Sequence, residues 1–288
     1  MTVDSLLQVL LKRWLNNFPS RMVVFPNAKI NLGLWVVERR KDGYHNLESC
    51  FFPIPWKDIL EFIESDQLVL TQSGLPIPGS LEDNLLLKAY HLLNDQFDLP
   101  PLHMHLHKQI PMGAGLGGGS SDAAFLLRAL NDFYDLKIGT SELQNIAKSI
   151  GADCPFFIEN TEKMVFGIGD IFEPISIDLS SKWISLIYPG IHISTPEAYQ
   201  SLNPSPRRNT IRSLINKPVN EWKGQLSNDF EAYALKKAPQ LKNLKDQLYL
   251  QGAEYVSMTG SGSCFYAISS QPLNLNFSKK GMTFSLQL

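Results

Sequence analysis

Cysteine is scarce and scattered in this 288-residue chain: Cys50, Cys154 and Cys264 lie far apart, and no C-x-x-C pair occurs. An odd, dispersed set argues against a disulfide framework and a structural zinc site, and fits a reducing cytoplasm. Charge of one sign is also missing. Lys plus Arg number 26 against 28 Asp plus Glu, a net of -2. A partner gripped mainly through a phosphate backbone, such as nucleic acid, is therefore not expected. A small phosphorylated ligand, which needs only local donors, remains compatible. No apolar run reaches membrane-spanning length, so no membrane partner is expected. The opening MTVDSLLQVLLKRWLNNFPS has an apolar stretch but neither a basic start nor a small-residue cleavage site. It reads as an amphipathic extension over residues 1–21 rather than a signal peptide, with Met22 a candidate natural start.

What the chain does have is a core-sized apolar fraction, 44% hydrophobic residues, and a mixed element pattern. Residues 22–37 are β-rich, with Pro26 and Asn27 interrupting, and Asp42-Gly43 is a hairpin turn signal. ILEFIES and QLVLTQS read as strands. From Asp83 the periodicity turns helical, with Asp83 or Asn84 as N-cap. HMHLHKQI alternates as a half-exposed strand. Helices follow over SSDAAFLLRALNDFYDL, with Ser at its start, and SELQNIAKSIG. Residues 164–178 and 183–188 read as strands, 200–224 as a loop-rich excursion, 228–250 as helical, and EYVSMTGSGSCFYAIS as a strand. This mixture is α+β with antiparallel signals.

The densest chemistry lies in PMGAGLGGGSSDAA, Pro111–Ala124, between a strand and a helix. Backbone N–H groups of a tight glycine loop form a nest for anions, and a helix N-terminus adds donors and a positive dipole end. Ser120 and Ser121 are placed to cap the helix or to donate to phosphate oxygens. A Walker loop fails because no Lys follows the glycines. Gly113, Gly115 and Gly118 match G-x-G-x-x-G. The preceding strand, however, is polar at alternate positions, and the acid about 20 residues on, Asp135, ends a helix rather than a second strand.

The same loop resembles the P-x-x-x-G-L-G-S/G-S-S loop of the GHMP kinases. Further segments resemble one branch of that family, in its order: AKINLGL, RRKDGYHNLES, EDNLLLKAYHLL, GADCPFFI, YPGIHISTPEAY, SNDFE and MTGSGSCFYAI. The resemblance implies a two-domain fold. Residues 22–178 would form an ATP-binding domain like the second domain of ribosomal protein S5, and residues 179–288 a ferredoxin-like domain, with the ligands in the cleft between them. It implies transfer of the γ-phosphate of ATP, with Mg²⁺, to the 2-hydroxyl of a cytidine-diphosphate-linked polyol in the non-mevalonate route to isoprenoid precursors. The enzyme would act as a monomer or homodimer. A GHMP kinase for a mevalonate-type or sugar alcohol, and a non-catalytic nucleotide-binding relative, are the alternatives.

Carried residue by residue, the resemblance makes Asp153 the general base and Lys29 its charge-neutralising partner. A lysine among apolar strand residues is costly unless exposed or paired, and an alcohol nucleophile benefits from a carboxylate that takes its proton. Pro111, Met112, Gly113, Ala114, Gly115, Leu116, Gly117, Gly118, Gly119, Ser120 and Ser121 would hold the ATP phosphates, with Asn84 and Lys108 near adenine and ribose. Asn31, on the strand face of Lys29, would join Tyr44, His45, Pro196 and Tyr199 around the substrate. His45 can offer one donor and one acceptor to a base edge, and the tyrosines rings to stack on it. Tyr199 is a mild departure, since the family often has Phe there. Gly260 and Gly262 form a second glycine turn, expected to let the backbone approach the first loop. Asp122 is expected to act as a helix-terminal cap, and His103, His105 and His107 to form a solvated strand face. Alkylation of Cys154 is expected to impair activity by crowding. No metal ligands can be named. The chain continues only 24 residues past Cys264, so the last elements of the second domain are expected to be abbreviated or divergent.

Overall fold

The computed structural model describes residues 21–202, 204, 207, 209–275 and 281–288. All but the last residue of the expected N-terminal extension lies outside them. Arg21 opens the first strand. The described chain folds into three four-stranded sheets with helices packed on them.

The first sheet has the order β1-β4-β6-β5, from Arg21–Val24 (β1), Ile59–Glu64 (β4), Val69–Gly74 (β5) and Leu102–Lys108 (β6). β5 and β6 run parallel, Val69 opposite His103, so the chain between them must cross over. It does so through α1, Leu85–Phe97. Asn84 caps that helix, its side chain accepting from Leu86 N at 2.9 Å. The buried positions Leu86, Ala89, Tyr90 and Leu93 fall one helical face apart. They pack with α2 (Gly118–Phe133), α3 (Thr140–Ile150) and α4 (Cys154–Glu159) over the sheet. The row His103, His105, His107 lies on the other, more exposed face. His105 and His107 spend ring nitrogens on Thr71 and Ser73.

The second sheet, β2-β3-β7-β8, comprises Asn27–Arg39 (β2), His45–Lys57 (β3), Lys163–Phe166 (β7) and Ile171–Pro174 (β8). β2 is buried over its first ten residues, as a strand covered on both faces should be. A bulge between Asn31 and Leu34 shifts its register against β3. Before the bulge Ala28, Ile30 and Leu32 join one apolar cluster; after it Trp35 joins that cluster while Leu34 and Val36 face another. Gly33, at φ +74°, makes the bend, and a Cβ there would meet Leu226 Cδ1 at 2.5 Å.

The third sheet, β10-β11-β9-β12, is antiparallel throughout. Its strands are Trp183–Tyr188 (β9), Tyr255–Met258 (β10), Phe265–Ser269 (β11) and Met282–Gln287 (β12). In chain order that is 4-1-3-2, the ferredoxin-like arrangement. β12 forms one edge of the sheet, paired with β9. The connection from β11 to β12 contains no helix among the described residues. The helices of this half are α5 (Thr195–Gln200), α6 (Ile211–Ile215), α7 (Glu231–Lys237) and α8 (Gln240–Leu250). One apolar cluster joins Ile30 and Ile54 of the second sheet to Ile184, Leu186 and Tyr266 of the third.

Several sequence expectations need correction. Asn27 begins β2 instead of interrupting it. Residues 164–178 are not one strand, because Gly167 and Gly169, both at positive φ, turn the chain between β7 and β8. Within 200–224, residues 211–222 are packed instead of loop-like: α6 and a 3-10 turn at Val219–Glu221 bury Ile211, Leu214, Ile215, Val219 and Trp222. The helical region 228–250 is two helices, broken where Ala238 leaves helical geometry before Pro239. EYVSMTGSGSCFYAIS is a hairpin, β10 and β11, folded at the Thr259–Gly262 turn.

Candidate active site

The glycine loop joins β6 to α2. Gly113, Gly115 and Gly117 take φ of +64°, +82° and +70°, a left-handed run open to glycine. Gly117 is the N-cap of α2 and no side chain caps the helix, so Ser120 and Ser121 sit inside the first turn instead of capping it. Four backbone N–H groups at this end lack intrahelical partners, the donors an anion needs. The side chains of Ala114 and Leu116 turn into the core, leaving the backbone as the working surface. The loop lies directly on β2: Lys29 N donates to Leu116 O at 2.9 Å.

Lys29 is 3% exposed. Its Nζ donates to Asn31 Oδ1 at 2.8 Å, sits 3.6 Å from Asp153 Oδ2 and lies 4.6 Å from the centre of the Phe51 ring. Burial pulls its ammonium below the usual lysine range, and Asp153 pulls it back up. Asp153 stands at the N-cap position of α4 yet makes no capping bond. Its side chain is one-third exposed, so it is available to a ligand.

Asn31 was expected to touch substrate. It is 1% exposed instead, and its Oδ1 accepts from Lys29 Nζ, Gly260 N at 2.9 Å and Thr259 Oγ1 at 3.2 Å. It works as a hinge-pin under the site. Thr259 Oγ1 also reaches Gly115 O at 3.1 Å, and Cys264 N donates to Ala114 O at 3.2 Å. The second glycine turn therefore braces the first loop, as the sequence led us to expect. Thr259 and Asn228, whose Nδ2 donates to Met258 O and Gly260 O at 2.8 Å, are not marked by any motif in the sequence. Their one signal was a polar residue adjoining a glycine turn or an apolar run. His192 lies beside the loop, its Nδ1 3.6 Å from where a Gly113 Cβ would stand, and carries no such signal in the sequence.

Lys108 was expected to meet the nucleotide. Its side chain is sealed, with 0% exposure, and both its partners are buried carboxylates: Asp58 Oδ2 and Asp122 Oδ2, the latter at 2.7 Å. Asp58 in turn accepts from Gln109 N and Ile110 N. Burial acts to lower the Lys108 pKa, but the two carboxylates outweigh it and hold the ammonium above its usual range. Asp122 is likewise no cap. Burial pushes it up to about 7 against the pull of Lys108. Asp58, just ahead of the apolar strand residues Ile59 and Leu60, was the available signal for this cluster, since a carboxylate there demands a partner.

One cavity adjoins the loop, and a second includes Tyr199, whose hydroxyl feels the Asp153 charge. One, about 100 Å³, is lined by Asn84, Met112, Gly119 and Asp122 with apolar walls from Ile77, Leu85 and Leu106. The other, about 580 Å³, is lined by Arg39, Gly43, Tyr44, His45, Ile168, Tyr199 and Leu202. The His45 and Tyr199 rings stand 5.2 Å apart, and Phe230 meets Tyr199 edge-on at 4.7 Å. Burial and Arg39 lower the His45 imidazole, favouring its neutral form. Burial pushes the Tyr199 hydroxyl up to about 12, with the Asp153 charge adding to it. Tyr44 is 61% exposed at the rim. Pro196 is not among the residues lining this cavity; it is the second residue of α5, the helix that carries Tyr199. A larger groove of about 770 Å³ near Lys182 and Trp222 holds none of the expected site residues.

Cys154 follows Asp153 directly. It is fully buried, and burial pushes its thiol up to about 11 despite a hydrogen bond with Ser120. It is a packing residue, not an accessible nucleophile. Native protein is expected to resist iodoacetamide at Cys154 while retaining activity, and to take the label there only in denaturant. Mass spectrometry of the native digest checks this; labelling faster than unfolding would contradict it.

Among the described residues no three His, Cys, Asp or Glu side chains converge on a metal position, and no helix is long and apolar enough to cross a membrane. The sequence pattern of the GHMP kinases N terminal domain matches residues 84–160, and that of the GHMP kinases C terminal domain matches residues 211–275. A relative from Cytophaga hutchinsonii, named 4-diphosphocytidyl-2-C-methyl-D-erythritol kinase, is 52% identical over 86% of this chain and 92% of its own. One from Parabacteroides distasonis with the same name is 47% identical over 87% and 93%. A crystal structure of 4-(cytidine 5'-diphospho)-2C-methyl-D-erythritol kinase superposes with a TM-score of 0.74 at 30% identity, covering 85% of this chain and 89% of that one. Membership follows from likeness at this identity and coverage: the chain belongs to the GHMP kinases, and within them to the 4-diphosphocytidyl-2-C-methyl-D-erythritol kinase family.

Proposed function

We propose that this chain transfers the γ-phosphoryl group of ATP to the 2-hydroxyl of 4-diphosphocytidyl-2-C-methyl-D-erythritol, in the non-mevalonate route to isoprenoid precursors. The observation that carries the reading is one accessible carboxylate, Asp153, held 3.6 Å from a buried lysine between a glycine loop and an aromatic cavity. Phosphoryl transfer asks a protein mainly for positioning and charge stabilisation. Asp153 accepts the hydroxyl proton as the oxygen attacks the γ-phosphorus. The new O–P bond forms while the bond to the β–γ bridging oxygen breaks, and ADP leaves with that electron pair. The ammonium of Lys29 keeps Asp153 ionised and offsets the charge developing on the phosphoryl oxygens. Backbone N–H groups from Gly113 to Ser120 hold the phosphates. His45 and Tyr199 hold the cytosine, with Tyr44 at the rim.

Magnesium would arrive on the phosphates of ATP, as it usually does when a protein offers no cage of its own; it supplies charge neutralisation there. The described residues form no such cage. We also place the domain boundary near residue 178, between β8 and β9. The reading further takes the enzyme to be cytoplasmic, supported by three buried, unpaired thiols.

The test is ADP release with ATP and the full substrate, against the same polyol phosphate lacking the cytidylyl group. Turnover is expected only with the first; equal turnover with both would overturn the cytidine assignment. Tyr199→Ala is expected to raise the substrate KM roughly 5–150-fold, the loss of about 1–3 kcal/mol of base stacking, with the ATP KM unchanged. Tyr199→Phe keeps the ring and should behave like the wild type.

A further inference from the structure

His192 stands at the glycine loop without a hydrogen-bond partner. The residue is exposed, its Nδ1 and Cε1 lie 3.6 and 3.8 Å from where a Gly113 Cβ would stand, and its ring makes no hydrogen bond or ion pair to a described residue. The backbone that carries it is nevertheless fixed. Ile193, the next residue, is 4% exposed and packs in the core. On the other side Ile191 O accepts from Oγ of the fully buried Ser263, and Thr195 Oγ1 shares a 2.6 Å hydrogen bond with Ser261 Oγ. Both serines adjoin the second glycine turn, which already braces the first loop through Thr259 and Cys264. The imidazole is therefore held beside the phosphate loop by its backbone, while its own ring nitrogens are unspent.

The two ends of the loop have different neighbours. A Cβ on Gly117 would meet Lys29 Cγ at 3.2 Å, so that end adjoins the Lys29–Asp153 pair, where the phosphoryl group is transferred. Gly113, at the other end, adjoins His192. The other polar side chains around the loop are committed: Lys29 Nζ to Asn31 and Asp153, Lys108 to two carboxylates, and Ser120 to Cys154. We propose that the His192 imidazole donates a hydrogen bond to a phosphate oxygen of ATP that remains in ADP, on the α- or β-phosphate. This rests on the reading of the chain as an ATP-dependent kinase. An imidazole carries an N–H donor in either protonation state, and a donor bonds an ionised oxygen more strongly than a neutral one. The contacted phosphate keeps its place as the γ-group leaves, so the bond is made equally before and after transfer. His192 then contributes to nucleotide binding and not to the barrier. It follows β9 of the third sheet, whereas the loop follows β6 of the first, so a bound nucleotide ties the two halves of the chain together.

The experiment measures dissociation constants for ATP, ADP and adenosine, together with kcat and both KM values, in the wild type and in His192→Ala, His192→Asn and His192→Gln. His192→Ala is expected to bind ATP and ADP about tenfold more weakly and to raise the ATP KM to match, with adenosine binding, the acceptor KM and kcat unchanged. An asparagine amide reaches the place of Nδ1 and a glutamine amide that of Nε2, so one of the two should recover most of the loss and identify the donating nitrogen. Recovery by neither would overturn the hydrogen bond. Unchanged ADP binding in His192→Ala would overturn the proposal outright. A loss confined to the acceptor KM would overturn it too, by assigning the imidazole to the acceptor's own phosphates, as would adenosine weakened as much as ADP, by moving the effect to the nucleoside. Because binding is read without turnover, failure of the kinase reading would show separately, as nucleotide binding without ADP release.

Discussion

Asp153→Asn is expected to lower turnover by about 10²–10⁴-fold, the usual contribution of a general base, with little change in ATP binding. Asparagine keeps the shape of the side chain but cannot take the hydroxyl proton. The replacement should leave α4 intact, because Asp153 makes no capping hydrogen bond that the helix would lose. Among the described residues its one ion-pair partner is Lys29, at 3.6 Å. Asp153 is one-third exposed, so water screens the pair and the stability cost should be small. Lys29 keeps its hydrogen bond to Asn31 Oδ1. Side-by-side ADP release and thermal melts check this: a collapse in kcat with a near-native melting temperature is the expected pair of results. A kcat within a few-fold of the wild type would remove Asp153 from the role of base and leave it as a partner of Lys29 only.

What could be read from sequence divides along a physical line. The glycine loop was legible because its function is carried by backbone conformation, and glycine is where a chain records that requirement. The apposition of Gly115 and Gly260 was legible for the same reason. Lys29 was legible as a cation amid apolar residues, since such a group must find an opposite charge. The burial of Asn31 and Lys108 was not legible, for a shared reason. Spacing on a strand shows which side chains share a face, but not whether that face opens on a ligand or on a second layer of protein. The Gly260 turn and Thr259, more than 200 residues away in sequence, close over Asn31; Asp58, from the start of a neighbouring strand, closes over Lys108. The division of 228–250 into two helices and the burial of 211–222 were also tertiary outcomes. Prolines and polar residues around α6 looked like a loop until Ile211, Leu214 and Trp222 met the apolar cluster between the second and third sheets.

The second large effect is expected from Gly115→Ala, which should lower the melting temperature by roughly 5–15 °C and reduce kcat by about 100-fold. Gly115 has φ +82°, and a Cβ there would stand 2.1 Å from Thr259 O and 3.1 Å from Gly260 Cα. The approach is mutual, because a Cβ on Gly260 would stand 2.7 Å from Gly115 Cα. Both sides of the contact are backbone, so no side chain can swing away and the turn itself must move. The left-handed conformation costs an alanine about 1–2 kcal/mol, and overpacking adds about 1–3 kcal/mol. The catalytic loss has a separate origin. Moving the turn pulls Gly260 N and Thr259 Oγ1 away from Asn31 Oδ1, the atom that orients the Lys29 ammonium toward Asp153. A displacement of about 1 Å at that distance from the chemistry costs about 10²-fold. Gly139→Ala is the control: nothing lies within 4 Å of its added Cβ and its φ is ordinary, so its stability should stay within about 0.5 kcal/mol of the parent. Native melting and native kcat in Gly115→Ala would show that the two glycine turns merely touch. A melting loss with native kcat would separate the brace from the chemistry and free Lys29 from its dependence on the second turn.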